Sequence, residues 1–185
     1  MATREDGEAV AAIYRPYVTD AATSFELEPP DGAEMAARIG DILRSAPWLV
    51  FEDAHGVPAG YAYAFRHNDR AAYQWSRNVA VYIRADHHRR GVGRRVYETL
   101  FSLLRLQGYY VAIAGITLPN PGSVGLHQAL GFHPVGVYPA VGWKLGHWRD
   151  VGWWQLALQP RPPAPSTPLS LAEAMTLPDW PPTLR

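Results

Sequence analysis

The stretch Val79-Ala80-Val81-Tyr82-Ile83, followed after the polar residues 84–87 by His88-Arg89-Arg90-Gly91-Val92-Gly93-Arg94, decides the fold. The first part is an apolar, β-branched run typical of a buried strand. After the glycines, apolar residues recur at helical spacing at Val96, Leu100 and Leu103. A strand, a glycine-rich turn and a helix in this order favour anion binding, because the helix start presents unpaired N–H groups and the positive end of the helix dipole. The arginines add charge where a pyrophosphate would need it.

The loop does not fit the common nucleotide motifs. A Walker loop ends in Gly-Lys-Ser/Thr, whereas this one ends in Gly93-Arg94-Arg95, and a Rossmann fingerprint needs a third glycine where Val96 stands. The pattern Gln/Arg-x-x-Gly-x-Gly/Ala of the GNAT N-acetyltransferases does match, with His88 in the place of Gln or Arg. On the loop alone, an arginine-rich turn that only caps a helix remains an alternative.

Composition narrows the classes of function. The chain has 185 residues, a formal net charge of zero and no cysteine. A domain of this size buries a substantial core, and a neutral chain has no overall field that would attract nucleic acid or an anionic membrane. Without cysteine there is no disulfide, thiolate zinc site or cysteine nucleophile. The pair His87-His88 has no second pair at ligand spacing, so we predict no metal.

No apolar run approaches the roughly 20 residues that a membrane span needs, and the N-terminus has no apolar signal segment. We therefore expect a cytoplasmic protein with neither a nucleic-acid nor a membrane partner.

Periodicity predicts one mixed α+β domain over residues 1–159 with the order α-α-β-β-β-α-β-α-β-β. Asp31 is the expected N-cap of the second helix. The proline-dense residues 160–185, which have only a weak helical patch at 169–175, are expected to form a poorly ordered or surface-draped tail. The expected elements are helices at 7–18, 31–45, 92–107 and 120–130 and strands at 48–51, 61–65, 79–83, 110–114, 132–138 and 152–158.

Several separated blocks carry a resemblance to a known family. The segment 126–132, Leu-His-Gln-Ala-Leu-Gly-Phe, resembles a GNAT helix-to-strand signature. Further blocks over residues 7–158 are similar to the phosphinothricin N-acetyltransferase family of that superfamily: Pro47-Trp48-Leu49-Val50, Gly60-Tyr61-Ala62-Tyr63-Ala64, Ala72-Tyr73-Gln74-Trp75, Leu118-Pro119-Asn120 and residues 142–155.

The resemblance implies the GNAT acyl-CoA N-acyltransferase fold, in which helices flank a mixed central sheet and one strand is splayed before the pyrophosphate loop. Family members begin with a strand, for which only residues 1–4 are available here, so we expect it to be stunted or lost. The family uses acetyl-CoA to acetylate the α-amino group of phosphinothricin, methionine sulfone or methionine sulfoximine. Its members pair as homodimers, and Trp143, Trp148, Trp153 and Trp154 are candidates for core or interface.

The resemblance also implies where the cofactor binds. The backbone of Val81, Tyr82 and Ile83 would hold the pantetheine arm, and Asn120 would lie near the thioester. The pyrophosphate would lie in the loop formed by His88, Arg89, Arg90, Gly91, Val92, Gly93 and Arg94.

The catalytic residues depart from the family pattern. The proposed general base of the family is a carboxylate at the place where this chain has Asn78, which cannot accept a proton. A water chain or a nearby histidine would then relay the proton, and we expect a slower enzyme with a higher pH optimum. His127 is the predicted acid or base, with a purely structural histidine as the alternative.

The acceptor site is expected to involve Phe25, Tyr73 and Trp75. Arg77 is a candidate clamp for a carboxylate or phosphinate, with a solvent-facing arginine as the alternative. The predicted function is acetyl transfer to a small amino-acid-like amine. Two alternatives are an acyl-CoA-binding protein with impaired catalysis and an acetyltransferase acting on a peptide N-terminus.

Overall fold

The structure, a computed structural model, describes residues 1–184. Within them one sheet is formed by β1 Trp48–Glu52, β2 Pro58–Arg66, β3 Ser76–Ile83, β4 Val111–Leu118, β5 His133–Lys144 and β6 His147–Ala157. The strand order is β1-β2-β3-β4-β6-β5, with β3 and β4 parallel and all other neighbours antiparallel. The helices are α1 Gly7–Thr19, α2 Gly32–Ile42, α3 Val92–Leu106, α4 Pro121–Ala129 and α5 Leu171–Ala174. This is the predicted mixed α+β architecture.

Side chains alternate across β2, which gives the sheet two different faces. Tyr61 packs in one core cluster with Val10 of α1 and Ile39 of α2, whereas Ala62 belongs to the cluster that contains Leu100 of α3. Small side chains let α3 approach the sheet, and aromatic rings fill the space beneath α1 and α2. Residues of β2 with odd numbers therefore share the face covered by α1 and α2.

The N-terminus leaves the sheet edge after a single hydrogen bond, from the N–H of Ala2 to the carbonyl of Trp48 at 2.8 Å. The next N–H, of Thr3, donates to the carboxylate of Asp6 at 2.6 Å and begins a short 3-10 turn. The capping box begins this turn directly after Ala2, and within residues 1–184 no strand precedes α1.

The strands β3 and β4 separate part-way along their length. They pair only between residues 76–78 and residues 111–113, after which β4 continues against β6 as far as Leu118. The strand β3 stays with β2 up to the pair Gly60–Ile83. The edge of β3 that faces β4 is therefore open beyond Asn78, which is the predicted splay. Within residues 1–184, no helix has the length and apolar character that crossing a membrane requires.

The hairpin of β5 and β6 is longer than predicted. The two strands continue to a tight turn at Leu145 and Gly146, whose φ angles are 52° and 75°. Positive φ at both turn residues matches the twist of a two-residue hairpin. Sequence periodicity did not show the middle of this hairpin because most of β5 is exposed on both faces and therefore does not alternate.

The expectation of a poorly ordered or surface-draped tail is wrong for much of the C-terminal segment. Leu171, Ala174 and Trp180 are buried in the main core cluster, and Trp180 has no exposed surface. The N–H of Leu169 donates to the carbonyl of Gln107 at 2.8 Å. Burial of a whole indole offsets the cost of ordering a proline-rich segment that has little secondary structure of its own.

Candidate active site

The splay between β3 and β4 contains a narrow channel. Its volume is about 60 Å³, and it ends at α4. Asn120 caps α4 by accepting a hydrogen bond from the N–H of Ser123 at 3.0 Å. The narrow channel is lined by residues of both separated strands and of α4, together with Thr23 and Tyr97. The residues from these elements are Val79, Ala80, Val81, Tyr82, Ala114, Gly115, Ile116, Thr117, Asn120, Ser123 and His127.

A wider cavity of about 400 Å³ lies on the α1–α2 face of the sheet. It shares Ala80, Tyr82 and Thr117 with the narrow channel, so the two are neighbours across β3 and β4. Aromatic side chains from the sheet and from the loop after α1 form most of its wall, namely Phe25, Tyr63, Phe65, Tyr82, Tyr138 and Trp153. A narrow channel that leads to an aromatic cavity can bring an extended donor to a small acceptor.

The loop between β3 and α3 has the geometry of an anion site. Gly91 is the N-cap of α3 with φ 76°, and no side chain caps the helix. The first N–H groups of α3 are therefore free to bind an anion. Arg89 also has a positive φ, 58°, which turns the backbone sharply before the helix.

The two glycines of the loop have different roles. A Cβ at Gly91 would meet nothing within 4 Å, so glycine is required there for its conformation. A Cβ at Gly93 would lie 3.1 Å from a methyl group of Leu126, so glycine there lets α3 pack closely against α4.

The arginines of the loop separate into two groups. Arg94 forms an ion pair with Glu98 at 2.8 Å, and the guanidinium of Arg95 lies 5.0 Å from the ring centre of Phe51. Arg89 and Arg90 are exposed and make no ion pair within residues 1–184. These two guanidinium groups are the ones available to an incoming anion.

The end of β3 is already hydrogen-bonded within the chain. The carbonyl of Ile83 accepts a hydrogen bond from the hydroxyl of Tyr17 at 2.5 Å and lies 2.8 Å from Nε2 of His88. The N–H of Ile83 donates back to the Tyr17 hydroxyl at 3.3 Å. His88 thus fastens the loop to the strand end, and the backbone of Ile83 is occupied, unlike the open edge at Val81.

His127 is buried at the inner wall of the channel, with 3% of its surface exposed. Its Nδ1–H donates to the carbonyl of Ser123 at 2.8 Å, and Nε2 lies 3.3 Å from the hydroxyl of Tyr97. Burial lowers the pKa of His127, although the hydrogen bond to Ser123 opposes the shift. The imidazole is therefore neutral near pH 7 and receives the hydroxyl proton of Tyr97 at Nε2.

Asn78 lies in the wall of the wide cavity and has a histidine partner. Its Oδ1 is 3.0 Å from Nδ1 of His67. Asn78 pairs across the sheet with Phe65, and His67 is two residues beyond Phe65 on the same side of the chain. The ring of Tyr73 contacts His67 edge-on, with 5.6 Å between ring centres. Sequence reasoning did not single out His67. It follows Tyr63 and Phe65 at even spacing, but β2 ends at Arg66, so alternation along the strand does not place its side chain.

Residues 8–132 match the Acetyltransferase (GNAT) family. The chain belongs to this family. It is 38% identical over 170 residues to a phosphinothricin N-acetyltransferase of Streptomyces viridochromogenes, which covers 91% of this chain and 92% of that protein. It is 34% identical over 160 residues to an L-methionine sulfoximine/L-methionine sulfone acetyltransferase of Pseudomonas aeruginosa, which covers 84% and 91%.

A solved GNAT structure has the same fold. A phosphinothricin acetyltransferase from Sinorhizobium meliloti, crystallised in complex with AcCoA, is similar with a TM-score of 0.80 and 32% identity, covering 84% of this chain and 85% of that one. The predicted superfamily, fold and enzyme class are confirmed, and the chain is a GNAT N-acetyltransferase.

The predicted acceptor residues of this GNAT enzyme are only partly brought together. Phe25 lines the wide cavity. Tyr73 packs on His67, and the indole N–H of Trp75 donates to the carbonyl of Ser166 at 2.8 Å. Neither residue is part of the cavity wall.

Arg77 lies on the opposite face of the sheet from the cavity, because it alternates with Asn78 along β3. It is 9% exposed, donates a hydrogen bond to the Tyr109 hydroxyl and stacks 4.6 Å from the centre of that ring. The expectation that Arg77 clamps the acceptor, or else faces solvent, is wrong.

The loop that carries Phe25 is held at several points. The ammonium of Lys144 donates to the carbonyl of Glu26. The Glu26 carboxylate binds Arg38 through two hydrogen bonds of 2.8 and 2.9 Å and accepts another from the Tyr14 hydroxyl at 2.9 Å. The Arg38 guanidinium accordingly lowers the pKa of Glu26. This anchoring keeps the Phe25 ring in the cavity wall without a substrate.

Proposed function

We propose that this enzyme transfers the acetyl group of acetyl-CoA directly to the amino group of a small amino-acid-like acceptor of the phosphinothricin or methionine sulfone/sulfoximine type. The observation that carries the proposal is the continuity between the narrow channel in the splay and the wide aromatic cavity, whose volume of about 400 Å³ suits a small acceptor. The names of the two relatives, which act on such amino acids, support the acceptor class.

The residues of the splay and the loop fit acetyl-CoA. The N–H groups at the start of α3, together with Arg89 and Arg90, would hold the pyrophosphate. The open edge of β3 at Val81 would hydrogen-bond the pantetheine amides, whereas the backbone of Tyr82 faces its partner Tyr61 in β2. Ile83 could join only after Tyr17 and His88 release it. Asn120 would face the thioester end of the channel.

When bound, acetyl-CoA supplies an acetyl group activated as a thioester. The aromatic wall of the cavity would pack against the apolar part of the acceptor and limit the access of water to the thioester. The anchored Phe25 loop restricts the positions that the acceptor amine can take, which favours attack on the carbonyl carbon.

His127 and Tyr97 are proposed to return a proton to the sulfur that leaves. Because Nδ1–H is committed to Ser123, the neutral imidazole has no proton of its own at Nε2. The Tyr97 hydroxyl lines the same channel and shares its proton with Nε2. The pair can therefore pass a proton along the channel, with His127 holding the hydroxyl in place.

We further propose a homodimer formed through the β5–β6 hairpin. The strand β5 is an edge of the sheet, and the hairpin exposes large apolar side chains that a monomer would leave in water. Of the four tryptophans considered, Trp154 is in the core, Trp153 lines the cavity, and Trp143 and Trp148 are exposed. The exposed set, called here the hairpin strip, is Val135, Val137, Tyr138, Val141, Trp143, Leu145 and Trp148.

We also propose a cytoplasmic location. The proposed donor is a metabolite of the cell interior, and a chain without cysteine suits a reducing compartment.

The function is tested by following thiol release from acetyl-CoA between pH 7 and pH 9.5. Acceptors would be phosphinothricin, methionine sulfone, methionine sulfoximine, common amino acids and short peptides. We expect turnover with a small acceptor that rises with pH, since Asn78 cannot remove a proton from the ammonium form. Saturable acetyl-CoA binding without turnover would favour a binding protein, and turnover of peptides alone would favour an N-terminal acetyltransferase.

A further inference from the structure

The acceptor cavity lacks the group that the reaction needs. An amino acid enters as an ammonium ion and must lose a proton before its nitrogen can attack a thioester. The residues lining the wide cavity include no aspartate, glutamate, lysine, arginine or histidine within the described chain. The amide of Asn78 occupies the position at which the family has its carboxylate, so the base must stand behind the wall.

His67 stands directly behind Asn78. With the amide oxygen facing the ring at 3.0 Å, the imidazole carries its hydrogen on Nδ1 and leaves the lone pair of Nε2 unused. Within residues 1–184, this is the only hydrogen bond that the His67 side chain makes. The edge of Tyr73 limits rotation of the ring. Asn78 thus fixes a histidine tautomer whose second nitrogen is ready to accept a proton.

The alternative histidine is in the wrong place for this step. Nε2 of His127 already receives the Tyr97 hydroxyl, and the residue lines the narrow channel rather than the wide cavity. Tyr82 lines both, but burial raises its pKa well above the ordinary value, so it cannot serve as a phenolate base near neutrality. His67, by contrast, contacts the wall of the wide cavity through Asn78.

We propose that His67, oriented by Asn78, accepts through a bridging water molecule the proton that the acceptor's ammonium group loses. The inference rests on the proposed function. His67 is the catalytic residue of this step, and Asn78 is a positioning residue that acts through the His67 tautomer.

In this step the ammonium nitrogen gives one proton, through the bridging water, to Nε2 of His67 and becomes a neutral amine. Its lone pair then forms the C–N bond to the thioester carbonyl carbon while the C–S bond breaks. The second nitrogen proton is lost as the sulfur gains one to leave as a thiol, and His67 releases its proton to solvent, so that one proton is produced per acetyl group transferred.

A first experiment reads the geometry without any turnover. Long-range ¹H–¹⁵N correlation spectra of ¹⁵N-histidine-labelled protein, assigned with His67→Gln, distinguish the two neutral tautomers. We expect the Nδ1–H tautomer for His67, and we expect Asn78→Ala to abolish that preference. An Nε2–H tautomer in the parent protein would overturn the inference even if the enzyme is fully active.

A second experiment reads the chemistry through a double-mutant cycle. In the parent background, His67→Gln should lower kcat by roughly 10²-fold, the low end for a general base, with little change in KM for acetyl-CoA. In an Asn78→Glu background, where a carboxylate reaches the cavity itself, the same change should cost less than about 3-fold. Imidazole added to His67→Gly should restore part of the lost rate.

A matched control is His55→Gln, which replaces an exposed histidine of the β1–β2 turn and should leave kcat unchanged. Equal losses from His67→Gln in both backgrounds would assign His67 a structural role and overturn the inference. A parent enzyme without turnover on any acceptor would instead overturn the proposed function, and with it the catalytic role of His67.

Discussion

The hydroxyl of Tyr17 donates a hydrogen bond to the carbonyl of Ile83 at 2.5 Å and accepts one from the N–H of the same residue at 3.3 Å. A side chain of α1 thus satisfies both backbone groups at the end of β3. These groups point into the splay, where the backbone of β3 would otherwise bind the donor. In the proposed complex the Tyr17 hydroxyl would therefore compete with acetyl-CoA for the last residue of the strand.

This competition predicts the behaviour of Tyr17→Phe. Removing the hydroxyl frees the N–H of Ile83 and leaves its carbonyl with His88 alone, and a typical hydrogen bond contributes about 0.5–1.5 kcal/mol. We expect acetyl-CoA to bind roughly 2–10-fold more tightly, with little change in kcat, as measured by calorimetry and by KM for acetyl-CoA. Weaker binding would mean that the Tyr17 hydroxyl assists the donor instead of competing with it.

The contact between Phe25 and Gly142 predicts a change confined to the acceptor. A Cβ at position 142 would overlap the Phe25 ring, whereas a Cβ at Gly136 on the same strand would meet nothing within 4 Å. Gly142→Ala should displace the ring and raise KM for the acceptor several-fold, because overpacking costs about 1–3 kcal/mol. KM for acetyl-CoA should not change. Gly136→Ala is the matched control, and equal effects of the two changes would argue against a role of the ring in the cavity wall.

The periodicity of apolar residues and the glycine positions predicted much of this fold. The features that they did not predict depend on which strands pair with each other. The strand, glycine turn and helix at 79–106 were predictable because glycine conformation and helical spacing are local properties. His67 was not, since its role depends on the pairing of Phe65 with Asn78, and the sequence does not show which strands pair. The prediction for Arg77 failed for a different reason: Arg77 alternates with Asn78 along β3, so the two side chains lie on opposite faces of the sheet.

The C-terminal segment shows a second limit of local pattern. Its prolines suppress helical and strand periodicity, so composition indicated a loose tail. Burial of Trp180 depends on a site formed by distant residues of the main core. Composition cannot show such a site before the rest of the domain is folded.

The low pKa of His127 predicts how stability depends on pH. Burial disfavours the charged imidazole in the folded state, so the unfolded chain binds a proton more readily. As pH falls through the unfolded pKa of about 6.5, stability should therefore be lost, at up to about 1.4 kcal/mol per pH unit from this group. Above that pKa the imidazole is neutral in both states, so His127 does not make the free energy of unfolding depend on pH.

Urea unfolding from pH 8 to pH 5 measures this slope. His127→Gln, which stays neutral, should unfold with a flatter pH dependence than the parent protein. His55→Gln removes an exposed histidine and should leave the slope as it is. An unchanged slope in His127→Gln would show that His127 binds protons equally in the folded and unfolded states, which would contradict a pKa lowered by burial.

The hairpin strip predicts the oligomeric state. Trp143 and Trp148 lie opposite each other in the β5–β6 ladder, with ring centres 5.5 Å apart, and they are 57% and 64% exposed. In a dimer these indoles would be buried, and aromatic side chains at the centre of an interface contribute most of its binding energy. Trp148→Glu should place a charge there and shift the protein to monomers in analytical ultracentrifugation.

Val57→Glu provides the control, since Val57 is an exposed apolar residue of the β1–β2 turn outside the strip. It should leave the sedimentation coefficient unchanged. Because Tyr138 and Val141 belong both to the strip and to the cavity wall, loss of the dimer should also raise KM for the acceptor more than KM for acetyl-CoA. A parent protein that sediments as a monomer at micromolar concentration would refute the dimer, and the strip would then need a different partner to cover it.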